Sequence, residues 1–230
     1  MLEAVNLSKM YGKHNALINL NIKVDKGEVY CLLGQNGAGK TTTINLFLGL
    51  IEPSGGKALI NGVEVGADKK TNQMIAYIPE VVQLYGNMNS IENLEFFSKL
   101  SGNQYTKNEL KALLQKAGLK EGDLKKKLSN YSKGMRQKVG IAIALSKNAQ
   151  VIFMDEPTSG LDPQATNEFT SICKELVKEK KSIFMATHDI FNAVNVGSKI
   201  GIMKEGQLIH SADTKNVSAN ELQELYLKTI

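Results

Sequence analysis

Residues Gly34-Gln35-Asn36-Gly37-Ala38-Gly39-Lys40-Thr41 have the pattern G-x-x-x-x-G-K-[ST]. An apolar run, Val29-Tyr30-Cys31-Leu32-Leu33, precedes them, and Ile44, Phe47, Leu48 and Ile51 follow at helical spacing. The order is strand, glycine-rich turn, helix. Glycines let the backbone turn its N–H groups inward around an anion. The helix N-terminus adds free donors and about half a positive charge. Lys40 supplies a full charge for β- and γ-phosphates, and the Thr41 hydroxyl can reach a Mg²⁺ ion. The segment has the chemistry of a phosphate cradle.

Two further groups fit beside it. The apolar run Val151-Ile152-Phe153-Met154 ends in Asp155-Glu156. A carboxylate at the position of Asp155 holds Mg²⁺, often through water. One at Glu156 can orient and deprotonate a water aimed at the γ-phosphate. Alone, this pair also fits an ordinary buried strand ending in an acidic turn; the upstream phosphate loop favours the chemical role. His188 follows another apolar run, Ile183 to Ala186. Loops after parallel strands gather at one sheet edge, where an imidazole can hydrogen-bond the γ-phosphate. His14 and His210 have no such context and receive no role.

Strands and helices must carry these groups to one place. Short strands are expected at Leu2 to Leu7 and Ala16 to Val24, with a turn at Tyr11-Gly12-Lys13. Asn61-Gly62 marks a hairpin. A strand from Met74 to Ile78 ends at Pro79. From Ser90 to about Leu128 the chain is helical, with a capping box at Thr106–Glu109 and a face of Leu110, Leu113, Leu114 and Ala117. A helix is expected from Ser132 to about Lys147. Asp162-Pro163 opens another, with Ala165, Phe169, Ile172 and Leu176 on its inner face. Ile200 to Met203 and Gln207 to His210 flank a hairpin at Glu205-Gly206, and a short helix begins at Ala219. Alternating strands and helices imply an α/β fold with a mainly parallel sheet. An N-terminal antiparallel β subdomain and an inserted helical subdomain complete it. The expected division is a core of 1–85 and 150–230 and a helical subdomain of 86–149, within one domain of 1–230.

Composition sets wide bounds. The 230 residues are 42% hydrophobic and 22% charged, with net charge +5. These are ordinary values for a globular protein. Cys31 lies in the apolar run before the loop and Cys173 in a helical pattern, so neither forms a metal or redox motif. The N-terminal residues do not resemble a signal peptide. No apolar stretch approaches the ~18 residues of a membrane span, so a membrane role would need another chain to cross. Lys125-Lys126-Lys127 is expected to be solvated.

Together these motifs resemble the ATP-binding subunit of an ABC transporter over nearly the whole chain. Gly34 to Thr41 matches Walker A, and Val151 to Glu156 matches Walker B with the catalytic glutamate. Ser159-Gly160-Leu161-Asp162 matches the D-loop, His188 the switch histidine and Tyr11 the adenine-stacking aromatic. Tyr131-Ser132-Lys133-Gly134-Met135 stands where the signature falls. The resemblance implies a phosphate-loop NTPase that binds ATP and Mg²⁺. Lys40, Glu156 and His188 would be catalytic. Tyr11, Gly34, Gln35, Asn36, Gly37, Ala38, Gly39, Lys40, Thr41 and Thr42 would bind nucleotide. Ser132, Gly134 and Asp162 would reach the nucleotide held by a second copy, head to tail. Thr41, Asp155 and Glu80 would face the metal.

The sequence departs from the family pattern twice. The signature is usually Leu-Ser-Gly-Gly-Gln, and Glu80 stands where a glutamine usually follows proline. Both variants resemble the drug, antibiotic or ion exporter branch. The implied partners are a second ATPase subunit and a separate transmembrane permease, with no nucleic acid. The implied location is the cytoplasmic face of the cell membrane. The alternative is a soluble ABC ATPase acting on ribosomes or DNA; one phosphate loop and no sustained heptads argue against it.

Overall fold

The computed structural model describes residues 1–66 and 70–229. Two sheets organise the described residues. Strands β1 (Leu2–Tyr11), β2 (His14–Val24), β4 (Gly55–Ile60) and β5 (Val63–Glu64) form an antiparallel sheet in the order β2-β1-β4-β5. The second sheet has six strands. They are β3 (Val29–Leu33), β6 (Ile75–Ile78), β7 (Val151–Asp155), β8 (Ser182–Thr187), β9 (Lys199–Lys204) and β10 (Gln207–Asp213). Their order is β10-β9-β3-β8-β7-β6, parallel except for the β9–β10 hairpin. The expected α/β class with both kinds of sheet is present.

Every residue of β3, β7 and β8 is buried, because helices or the other sheet cover both faces. The alternation is strict. Val29, Cys31 and Leu33 enter one core with Ile152, Met154, Ile183 and Met185. Tyr30 and Leu32 enter the other with Val151, Phe153, Phe184 and Ala186. Helix α1 (Lys40–Phe47) lies on this second side. Its Phe47 ring stacks 5.7 Å from Phe153 and lies 6.0 Å from Phe184. That packing fixes the helix whose first residues are Lys40 and Thr41.

The short α2 (Lys70–Met74) leads into β6. Between β6 and β7 come α3 (Ser90–Leu100), α4 (Lys107–Lys116) and α5 (Lys133–Ser146). Capping boxes start α3 at Asn89 and α4 at Thr106, the second as its sequence indicates. Helices α6 (Pro163–Lys178), α7 (Ile190–Val196) and α8 (Ala219–Thr229) cover the first core. Asp162 caps α6 and Pro163 opens it.

Several expected boundaries differ, β2 beginning at His14 rather than Ala16. β1 runs to Tyr11, not Leu7: Asn6 has φ +48° and the register shifts beyond Ala4, which hides the strand's period. β6 begins at Ile75, since Met74 ends α2. The buried face of α6 is Phe169, Thr170, Cys173 and Leu176, while Ala165 and Ile172 are half-buried.

Gly56 bears a strict constraint. Its φ is +69°, and a Cβ there would lie 2.1 Å from the Asn6 carbonyl oxygen, across the β1–β4 pair. Gly56→Ala is therefore expected to cost about 2 kcal/mol or more, from left-handed strain plus overlap. Chemical denaturation measures it; an unchanged midpoint would refute this steric account.

Candidate active site

The phosphate loop joins β3 to α1 at the C-terminal edge of the parallel sheet. Gly39 has φ +105°, and a Cβ there would lie 2.6 Å from the Ala16 carbonyl oxygen. Only glycine fits. As N-cap it supplies no side-chain bond, and the first turn of α1 has no acidic residue. The helix N–H groups are left without side-chain partners, in the arrangement an anion would complete.

Lys40 is 5% exposed. Its ammonium donates to the carbonyls of Gly34 (2.6 Å) and Gln35 (3.3 Å). It also lies 3.4 Å from Glu156 Oε1. That contact is an ion pair without hydrogen-bond geometry, so Oε1 stays buried with no hydrogen-bond partner. The other oxygen, Oε2, lies 2.8 Å from His188 Nδ1 and accepts from the His188 backbone N–H at 3.3 Å. Glu156 has φ +44°, a left-handed conformation held by its own N–H donating to the Ala186 carbonyl at 2.8 Å. β7 and β8 thus meet at this residue, and the turn aims its side chain between Lys40 and His188.

Thr41 Oγ1 donates to Asp155 Oδ2 at 2.9 Å. Burial raises the Asp155 pKa and the bond from Thr41 lowers it; the charge of Glu156 raises it further. A cation beside Asp155 would offset that burial cost. A hydroxyl and a carboxylate suit Mg²⁺, which takes one or two protein oxygens and completes its shell with phosphates and water. Among the described residues no cluster of three or more His, Cys, Asp or Glu side chains forms a metal cage.

Lys40, Thr41, Asp155 and Glu156 line one cleft of about 480 Å³, together with Tyr11, Gln35, Asn36, Gly37, Gly39, Thr42 and Glu80, while His188 meets Glu156 from outside that lining. Tyr11 is 47% exposed at the end of β1, with Lys9 Nζ 5.1 Å from its ring centroid. Gly34 and Ala38 are not part of that lining; a Cβ at Gly34 would lie 2.7 Å from the Met203 carbonyl oxygen and 3.0 Å from the Ala38 Cβ. Glu80 stands at the rim. Its carboxylate accepts from Ser159 Oγ at 3.0 Å and pairs with Lys133 at 3.4 Å, rather than being held by Thr41.

Ser132, Gly134 and Asp162 do not line this cleft. They line a second one of about 270 Å³, with Met135, Leu161 and Phe169. Ser132 caps α5, accepting from Met135 N–H at 3.3 Å, and Asp162 caps α6. No local pattern marks His14 and Ala16 as cleft residues, nor Ser159 as the partner of Glu80. These positions follow from chain crossings that no local pattern encodes.

The sequence model of the family described as "ABC transporter" matches residues 17–159. The chain belongs to the ABC transporter family. It is an ATP-binding cassette of that family. The bacitracin transport ATP-binding protein BcrA of Bacillus licheniformis is 37% identical over 211 residues, covering 91% of this chain and 68% of that protein. The lantibiotic transport ATP-binding protein SrtF of Streptococcus pyogenes is 32% identical over 226 residues, covering 98% and 96%. A solved dimeric ATP-binding cassette in a post-hydrolysis state, bound to ADP and Pi, matches with TM-score 0.82 at 25% identity, covering 93% of this cassette and 99% of that chain. The cbiO1 subunit of Clostridium perfringens, part of the ABC transporter complex cbiONQ, matches with TM-score 0.86 at 28% identity, covering 99% and 95%.

Proposed function

We propose that this cassette is a Mg²⁺-dependent ATPase that powers export of an antibiotic through a separate membrane permease. The observation that carries the catalytic reading is Glu156. One oxygen is fixed by His188, and the other is buried, free of hydrogen bonds and 3.4 Å from the Lys40 ammonium. A general base needs such a spare acceptor beside the bound phosphate. The antibiotic class rests on the relatives that carry bacitracin and lantibiotic transport in their names.

In this reading the loop from Gly34 to Thr42 and Lys40 bind the triphosphate, and Tyr11 stacks on adenine. Thr41 and Asp155 would hold Mg²⁺, which supplies charge neutralisation on the β- and γ-phosphates. Glu156 accepts the proton of the attacking water while His188 keeps it oriented. Glu80 Oε1 is held by Ser159 and Lys133, so a metal contact would use its Oε2 or come at the expense of those bonds. A second copy meets the first head to tail, and its Ser132, Gly134 and Asp162 complete the γ-phosphate site. Residues 86–149 then act as the helical subdomain and 1–85 with 150–230 as the core. Among the described residues no helix is long and apolar enough to cross a membrane. The permease would supply the membrane path and hold the cassette at the cytoplasmic face.

Ser132→Arg tests the assembly. Ser132 is exposed and lies outside the Lys40 cleft. The variant is expected to bind a fluorescent ATP analogue with affinity unchanged, yet to stay monomeric at ATP concentrations that dimerise the parent. Light scattering reads the mass. ATP-driven dimerisation of the variant would overturn the head-to-tail arrangement.

A further inference from the structure

Two side chains one turn apart on α5 grip the same loop. Gln137 Nε2 donates to the carbonyls of Pro79 (3.2 Å) and Glu80 (3.0 Å). Lys133 Nζ lies 3.4 Å from Glu80 Oε1. Ser159, on the segment after β7, donates to that same Oε1 at 3.0 Å. Three chain segments therefore meet at one carboxylate oxygen: the end of β6, the start of α5 and the loop before α6.

The electrostatics of α5 explain why a carboxylate belongs there. Lys133 is the first residue of α5, and the first turn has no acidic residue. A cation at a helix N-terminus opposes the helix dipole at a cost of about 0.3–1 kcal/mol. Glu80 offsets it from outside the helix. Lys133 also lies directly between Ser132 and Gly134, so whatever fixes Lys133 fixes both. Lys133 and Glu80 are positions where the chain departs from the family pattern, and here they touch.

We propose that Glu80 and Lys133 are a charge-matched positioning pair. Together they hold the first turn of α5 in the orientation that presents Ser132 and Gly134 to the nucleotide of a second copy. Gln137 anchors the loop backbone, while the ion pair sets the tilt of the turn against the Ser159 segment. The inference rests on the head-to-tail reading above and adds what aligns it. Neither residue touches the reacting atoms.

The test is a charge-reversal cycle in the full chain carrying Glu156→Gln. The ATP concentration for half-maximal dimerisation is measured by light scattering for the parent, Glu80→Gln, Lys133→Met, both together, and the reversed pair Glu80→Lys with Lys133→Glu. Binding of a fluorescent ATP analogue to the monomer shows that each variant is folded. Each single change is expected to raise the half-maximal concentration about two- to fivefold, the range of a part-exposed ion pair. The double change should be no worse than one single, and the reversed pair should return to within about twofold of the parent. The deficit of the singles should shrink in about 0.5 M KCl, where charges are screened within a few ångströms. If the two single effects multiply in the double variant, or reversal restores nothing, the residues act independently and the proposal falls. A metal role for Glu80 would give that result. A parent that stays monomeric at saturating ATP overturns the head-to-tail reading itself.

Discussion

Glu156→Gln is expected to bind ATP at least as well as the parent chain and to lose nearly all turnover. The size of the loss follows from the geometry. Glu156 Oε1 is the buried oxygen without a hydrogen-bond partner, so it is the acceptor free to take a proton from water. An amide at the same place has no such basicity, and losing a general base costs about 10²–10⁴-fold. Binding should survive because glutamine keeps the shape and can still accept from the His188 backbone N–H through its amide oxygen. The charge of Glu156 also raises the Asp155 pKa, so its removal makes an ionised Asp155 easier to maintain beside a cation. Hydrolysis lost with binding kept should trap the ATP-bound dimer. Phosphate release at saturating ATP, together with size-exclusion chromatography, measures both. Turnover within about tenfold of the parent would remove Glu156 from the base role and give the proton to another acceptor.

The parts of this site visible in the sequence are those with a local period or a fixed spacing. The Gly34 to Thr41 loop needs its glycines and its flanking strand and helix in one short segment, so the pattern carries its own context. Asp155 and His188 were visible because each follows a continuous apolar run, which a strand buried on both faces must have. The contacts that join them were not visible. Nothing local in sequence puts the Glu156 carboxylate 3.4 Å from Lys40, 116 residues earlier by number, because that distance depends on β3, β8 and β7 lying side by side. The left-handed backbone at Glu156 also departs from what residue type suggests, since such conformations favour glycine and asparagine. Helix rotation was the other gap. The apolar pattern of α6 puts Ala165 and Ile172 on the inner face but cannot mark Thr170, a polar residue that is buried with its hydroxyl donating to Asn192 at 2.8 Å.

Lys40→Ala is expected to fail one step earlier, at nucleotide binding. The buried ammonium is held by two loop carbonyls, of Gly34 and Gln35, and faces the Glu156 carboxylate. An incoming triphosphate would meet this cation where water is largely excluded and charge interactions are strong. Alanine removes the charge and leaves Glu156 facing the phosphates without a cation between them. Removing one partner of a buried, hydrogen-bonded charge pair costs about 2–5 kcal/mol. At the lower end that is an affinity loss of roughly 30-fold. The loss should be larger for ATP than for adenosine, which has no phosphate to miss the charge. This contrast separates a lost phosphate contact from general damage to the loop, which would weaken both. Lys40→Arg provides a second check. Its charge is kept, but the wider guanidinium must fit where Nζ lies 2.6 Å from the Gly34 oxygen in a side chain only 5% exposed. It is expected to bind ATP more weakly than the parent although the charge is retained. Fluorescence titration with ATP and adenosine on all three proteins decides the matter. Equal ATP affinity in Lys40→Ala and the parent would show that the phosphates do not lie in this loop.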